Sequence, residues 1–216
     1  MKLHNSSFFD NFGQLLTKYP NINLQDLFSK GQMQSKRWLV DELSKLDLDL
    51  GLTFICAGWY GSLATFLLES NIKIDKIRSF DIDPTCAEIA DTFNRSWVIN
   101  NWKFKASTLD IMEMKNYPIE YITRKFDGTE VKLCEIPNTI INTSAEHIKD
   151  FTAWYDCIPK NTIVVIQNNN YRKIEEHVNC VETKEDLSLQ TPMSKCLFLG
   201  ELQLAKYTRF MKIGIK

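Results

Sequence analysis

Thr53-Phe54-Ile55-Cys56-Ala57 is a continuous apolar run too short for a helix, and Gly58 and Gly61 break it at once. A run of this kind is a strand buried on both faces, the environment of a parallel sheet covered by helices. Ser62 to Glu69 resumes with apolar residues at helical spacing, and Lys76 to Ile82 makes a second strand. Strand, glycine turn, helix and strand in that order commit the chain to a layered α/β fold.

The rhythm continues, with one interruption. Asp83-Pro84 offers an N-cap followed by proline at the first helical position, opening a helix to about Arg95. Trp102 to Ala106, Thr139 to Thr143 and Thr162 to Gln167 read as the third, fourth and fifth strands, and a helix carrying Ile148, Phe151 and Tyr155 joins the last two. Two alternating segments around Phe126-Asp127-Gly128 predict a β-hairpin inserted at about 118–135. Lys195 to Gly214 reads as two strands with no helix between them.

The first fifty residues read as a helical cap. Phe8, Phe9, Phe12, Leu15, Leu16 and Tyr19 share one helical face, with Ser7 as N-cap and Pro20 as stop. Asn23 caps a short helix that Gly31 ends, and a third helix from about Ser35 carries Leu39, Leu43 and Leu46. The polar stretch 29–35 between them reads as an interhelix loop.

Charge narrows the partners. The chain carries 26 basic and 27 acidic residues, a formal net charge of −1. Gripping phosphate backbones draws on counterion release and a basic excess, so the neutral balance points to a small-molecule or protein partner ahead of nucleic acid, and a small molecule is the first expectation. No stretch approaches the roughly 18–20 apolar residues of a membrane span, and the N-terminus has polar residues where a signal peptide carries its apolar run. A soluble, cytoplasmic protein with no membrane association is expected. The six cysteines form no CxxC pair and mostly lie in apolar runs, as reduced cysteines do. His177-Val-Asn-Cys180 has ligand-like spacing but no second ligand pair near it in sequence. It reads as a strand with incidental donors, and no metal site is expected.

A glycine turn after a first strand, with an acid about 20 residues on, is the logic of a nucleoside pocket. Gly58 and Gly61 supply the turn and Asp81 the acid, while Asp83 reads as the helix cap. Here the sequence resembles the class I S-adenosylmethionine-dependent methyltransferases. Phe54-Ile-Cys-Ala-Gly58-Trp-Tyr-Gly61 is similar to their first motif, and Phe80-Asp81-Ile-Asp-Pro84 to their second, whose acid holds the ribose hydroxyls. Leu109-Asp110-Ile111 stands where the family places a group near the adenine amine, and Ile140-Ile-Asn142-Thr143-Ser144 where its fourth motif begins the reaction centre. The family's acid before the first glycine is absent, with Cys56 and Ala57 in its place, and its DNA amino-methyltransferase branch has a proline–aromatic motif missing here.

The resemblance implies a Rossmann-like, mostly parallel seven-stranded sheet over residues 51–216, with an antiparallel C-terminal strand pair. It implies S-adenosylmethionine as cofactor, bound by Gly58, Gly61, Asp81 and Asp110, and methyl transfer to an acceptor. Two alternatives stand beside it: a non-catalytic cofactor-binding or scaffold module of the same fold, and an NAD-dependent oxidoreductase. The helix-free closing pair argues against the last, since a dinucleotide fold continues with a second βαβ set.

Asn142 to His147 places an amide, two hydroxyls, a carboxylate and an imidazole at a strand exit. His147 is the expected general base, with Glu146 orienting it or contacting substrate and Asn142 completing the catalytic set. Alternatively, Ser144 caps the next helix and Glu146 favours its dipole. Ser144, Asn168, Tyr171, Trp59 and Tyr60 are the expected substrate-binding residues. The asparagines also suit a turn, and the two aromatics also suit packing on the N-terminal helices.

Overall fold

The structure, a computed structural model, describes residues 7–216 without the Ser7 side chain, so the Ser7 cap lies outside the described residues. The N-terminal segment forms helices α1 (Ser7–Lys18), α2 (Leu24–Leu27) and α3 (Lys30–Lys45). There follow β1 (Leu52–Cys56), α4 (Ser62–Leu68), β2 (Lys76–Asp81), α5 (Cys86–Phe93), α6 (Arg95–Ile99) and β3 (Phe104–Thr108). The crossover from β3 carries the hairpin β4 (Ile119–Arg124) and β5 (Glu130–Glu135). The chain closes with β6 (Thr139–Asn142), α7 (Phe151–Cys157), β7 (Ile163–Asn169), α8 (Lys184–Gln190), β8 (Lys195–Gln203) and β9 (Thr208–Ile215).

The main sheet has the order β3-β2-β1-β6-β7-β9-β8. Strands β3, β2, β1, β6 and β7 are parallel, and β9 runs antiparallel to both β7 and β8. That antiparallel closure departs from the doubly wound dinucleotide order. Cys56 pairs with Phe80 and with Asn142, and Asn142 with Ile166, so the carboxyl ends of β2, β1 and β6 stand level beside β7.

Alternation along these strands sends side chains to two buried faces. Phe54, Phe80, Ile140, Val164 and Phe210 pack with Trp154 and Tyr155 of α7, Leu187 of α8, and Ile119 and Tyr121 of the hairpin. Ile55, Ile77, Ile141, Val165 and Met211 pack with α3, α4 and α6 through Leu39, Leu43, Leu67 and Val98. The hairpin therefore covers core where a crossover helix would otherwise lie. Buried Arg78 of β2 clamps it with two hydrogen bonds to Glu135, at 3.0 and 3.1 Å. A third cluster joins α1 and α2 to α5 through Leu15, Leu27, Ile89 and Phe93.

Local departures from the sequence reading have local causes. Residues 30–35 are the first turns of α3, because the Ser29 hydroxyl caps it by accepting from the Gln32 N–H; Gly31 lies inside that helix and ends nothing. Asp83 accepts from Thr85 N–H and Oγ, both at 2.8 Å, so its turn delays α5 to Cys86. Asn94 separates α5 from α6, its amide bound to the carbonyls of Gly61 and Ala90. Residues 145–147 form one 3-10 turn ahead of α7, and residues 177–180 form a loop, not a strand. Helix α8, unforeseen, is opened by a reciprocal capping box between Thr183 and Asp186. Among the described residues, no helix is long and apolar enough to cross a membrane.

Candidate functional site

The chain leaves β3 at one end of the sheet and re-enters at β6 on the far side of β1. Ligands of open α/β sheets bind at such a reversal, beyond the carboxyl ends of the strands. Here that crevice position falls between the exits of β1 and β6.

The β1 turn is tight, with Ala57, Trp59 and Gly61 all at positive φ (56°, 48° and 73°). A side chain at Gly58 would place its Cβ 2.0 Å from Ser79 Oγ, so glycine lets the turn lie down on β2. Gly61 combines left-handed backbone with close contact to Asn94 and Ala90 of the α5 segment. Asp81 is half-buried: Oδ2 accepts the Trp59 N–H at 2.8 Å and Oδ1 the Asp83 N–H at 3.1 Å. One bond to each oxygen leaves lone pairs for further donors. Asp110 caps a 3-10 turn through the Met112 N–H, and the Leu109 N–H binds the Asp81 carbonyl. Gly58, Gly61, Asp81 and Asp110 thus lie along the adjoining exits of β1, β2 and β3.

Lys36 of α3 joins this rim without having been foreseen. It is 6% exposed, and its Nζ donates to Ser62 Oγ at 2.7 Å, just past the glycine turn. Among the described residues no carboxylate pairs with it. Burial, with Arg209 adding repulsion, pushes its ammonium down to about 8. Neighbouring Ser35 donates to Gln167 of β7 at 2.7 Å, fixing this part of α3 over the strand exits. The available signal was a lysine at the same helical register as Leu39 and Leu43.

Across the crevice, Asn142 is buried; its Oδ1 accepts the Ser144 N–H at 2.8 Å and its Nδ2 has no partner among the described residues. Ser144 makes no side-chain cap. Glu146 is 3% exposed and does not reach across to orient His147. Its Oε1 accepts from Asn169 Nδ2 at 2.6 Å and from Arg209 Nη1 at 3.0 Å. Arg209, equally buried on β9, also donates to the Thr143 carbonyl. Sequence reasoning missed Arg209 because its partner Glu146 lies 63 positions away.

His147 faces solvent beside this pair, its rings in edge contact with those of His177 at 4.6 Å. Partial desolvation holds its pKa below the ordinary value, against the pull of Glu146. Asn168 is fully buried, its amide bound to the Asn179 carbonyl and its oxygen to the Asn169 N–H. It therefore holds the following loop and offers nothing to the crevice. Tyr171 is half-buried, its ring 5.5 Å from that of Tyr207. Trp59 and Tyr60 stack on each other at 4.6 Å and pack against the α1–α2–α5 cluster. A groove of about 600 Å³ lies elsewhere, between α5, β3 and the hairpin.

No protein-family profile matches the sequence, and no curated protein matches it. Solved structures do. The chain is similar to the N-methyltransferase NodS from Bradyrhizobium japonicum WM9 in complex with S-adenosyl-L-homocysteine, at 10% identity and a TM-score of 0.57, covering 97% of this chain and 99% of that one. It is similar to the MccD protein at 11% identity and a TM-score of 0.58, over 86% and 97% of the two chains. Geranyl diphosphate methyltransferase in complex with SAM matches at 12% identity and a TM-score of 0.52, over 84% of each.

Proposed function

We propose that this chain, which has the class I methyltransferase fold, binds S-adenosylmethionine in the crevice between β1 and β6 and transfers its methyl group to a small-molecule acceptor. The observation that carries the reading is the pair of charges flanking the glycine turn. Asp81 keeps lone pairs for hydroxyl donors on one side, and on the other Lys36 is a buried ammonium that no carboxylate among the described residues pairs with. A ligand with ribose hydroxyls at one end and a carboxylate at the other satisfies both. The similar structures with bound S-adenosyl-L-homocysteine and SAM support the same ligand.

When bound, S-adenosylmethionine supplies an electrophilic methyl group on its sulfonium sulfur. Asp81 accepts the ribose hydroxyls, Asp110 stands toward the adenine, and Gly58 and Gly61 keep the turn low enough for close approach. Lys36 answers the carboxylate. The acceptor side is formed by Asn142, whose Nδ2 has no partner among the described residues, and by Ser144, His147 and Tyr171. Methyl transfer is an in-line displacement, so most of the protein's contribution is positioning. A neutral His147 presents the basic lone pair of this rim. A cytoplasmic setting is part of the proposal, supported by six unpaired cysteines.

Calorimetry with S-adenosyl-L-homocysteine tests it. A carboxylate accepting hydroxyl donors is worth about 1.5–3 kcal/mol per bond, so Asp81→Ala should weaken binding at least tenfold. Unchanged affinity removes Asp81 from the site. A wild-type chain that ignores this ligand and binds NAD instead overturns the reading.

A further inference from the structure

We propose that Glu146, His147 and His177 form a binding site for one divalent first-row transition-metal ion, placed at the acceptor side of the crevice. One donor atom from each residue lies within 4.8 Å of the others. Glu146 and His147 come from the turn after β6, and His177 from the loop after β7. Two imidazoles and a carboxylate suit zinc, cobalt, manganese or iron, whereas magnesium and calcium prefer all-oxygen sets.

Two independent features point to a ligand here. The first is an orphan: Glu146 Oε2 is buried with no hydrogen-bond partner among the described residues, while Oε1 is held by Asn169 and Arg209. A buried carboxylate oxygen left unpaired is costly, and a cation beside it removes that cost. The second is tautomer control. His177 Nδ1 lies 2.5 Å from the Tyr171 carbonyl, which places the proton on Nδ1 and leaves the lone pair on Nε2. Metal-ligating histidines characteristically donate their other ring N–H to such carbonyls, and ligating carboxylates are themselves hydrogen-bonded.

The loop that delivers His177 is built in. The Asn179 N–H donates to the Glu146 carbonyl at 2.9 Å, and Asn179 Nδ2 to the Ala145 carbonyl at 3.1 Å. Asn168 and Asn169 bind the same loop through the carbonyl of Asn179 and the N–H of Val181. Metal bonds of about 2.0–2.2 Å need the donors somewhat closer than they stand, a change within reach of side-chain rotation. Three protein ligands leave a coordination position open, the arrangement of a reactive site. Arg209 beside the ion adds positive charge, so that position favours an oxygen-bearing or anionic group. With the ion present His147 is a ligand and not a base, and the ion fixes an oxygen of the acceptor. That last role rests on the methyl-transfer reading; ion binding itself does not.

The test is titration of the chelator-stripped full-length chain with Co²⁺, followed by visible d–d absorption, and with Zn²⁺ by calorimetry. One ion per chain is expected, with no response to Mg²⁺. His147→Asn and His177→Asn should each weaken binding at least tenfold while retaining the wild-type melting temperature in chelator. Cys180→Ser should bind like wild type, since Cys180 lies outside the three-donor set. Absence of a cobalt spectrum, or unchanged affinity in both histidine variants, overturns the site. Cobalt binding by a chain that does not bind S-adenosyl-L-homocysteine upholds the ion site and overturns its role toward a methyl acceptor.

Discussion

Replacing Lys36 by methionine keeps the aliphatic stem and removes a buried charge that has no carboxylate partner among the described residues. Burial takes the ammonium from 10.5 to about 8, which corresponds to about 3 kcal/mol at about 1.4 kcal/mol for each pH unit. The sign follows from linkage. Below about pH 8 both folded and unfolded chains carry the proton, so the penalty acts in full. Between about 8 and 10.5 the folded chain has released it and the unfolded chain has not, so wild-type stability gains with rising pH. Methionine also forfeits the hydrogen bond to Ser62, about 1 kcal/mol. Lys36→Met should therefore be about 2 kcal/mol more stable than wild type at pH 7, a melting temperature higher by about 4–8 °C. The advantage should vanish and reverse as pH approaches 10.5. Urea unfolding of both proteins at pH 7, 8, 9 and 10 reads the difference directly. The same variant should bind S-adenosyl-L-homocysteine at least tenfold more weakly, since a stabilised site that has lost its counterion has lost its function. A variant less stable at pH 7, or a difference flat across that range, refutes the reasoning.

Two further outcomes follow from the packing. Arg209→Met leaves the Glu146 carboxylate buried and unpaired, and should cost about 3–5 kcal/mol in urea unfolding, with part recovered on adding Glu146→Gln; a loss under about 1 kcal/mol would mean the pair is not buried in solution. Gly58→Ala forces a methyl onto Ser79 Oγ and should cost about 1–3 kcal/mol, most of it returned by Ser79→Ala. Equal melting temperatures for Gly58→Ala with and without the Ser79 change would show that the turn moves away from β2.

Much of the architecture was legible because its signals are local. Apolar runs of five residues, a glycine turn and an acid at the end of β2 each declare themselves within one window of sequence. The hairpin was equally plain from its alternation and its Asp127-Gly128 turn. Helix α8 was not, because Leu187 is its single buried apolar residue and Leu189 is 81% exposed, leaving no amphipathic stripe. Its one readable mark was the Thr183–Asp186 capping box. Gly31 misled for a related reason: glycine ends helices often, yet the Ser29 cap and the buried face of α3 outweigh its cost.

The site divides differently. That Asp81 stands at a strand end beside a glycine turn follows from spacing alone. The chemistry of Lys36, Glu146, His177 and Arg209 does not. Glu146 and Arg209 are 63 positions apart, and Ser35 meets Gln167 across 132. Whether a lysine is an ordinary surface charge or a strained ammonium, and whether a glutamate orients a histidine or pairs with an arginine, depends on desolvation and on which strands lie side by side. Those are properties of the packed sheet, because electrostatic energy is set by distance and surrounding dielectric, and neither is written in any local stretch of residues.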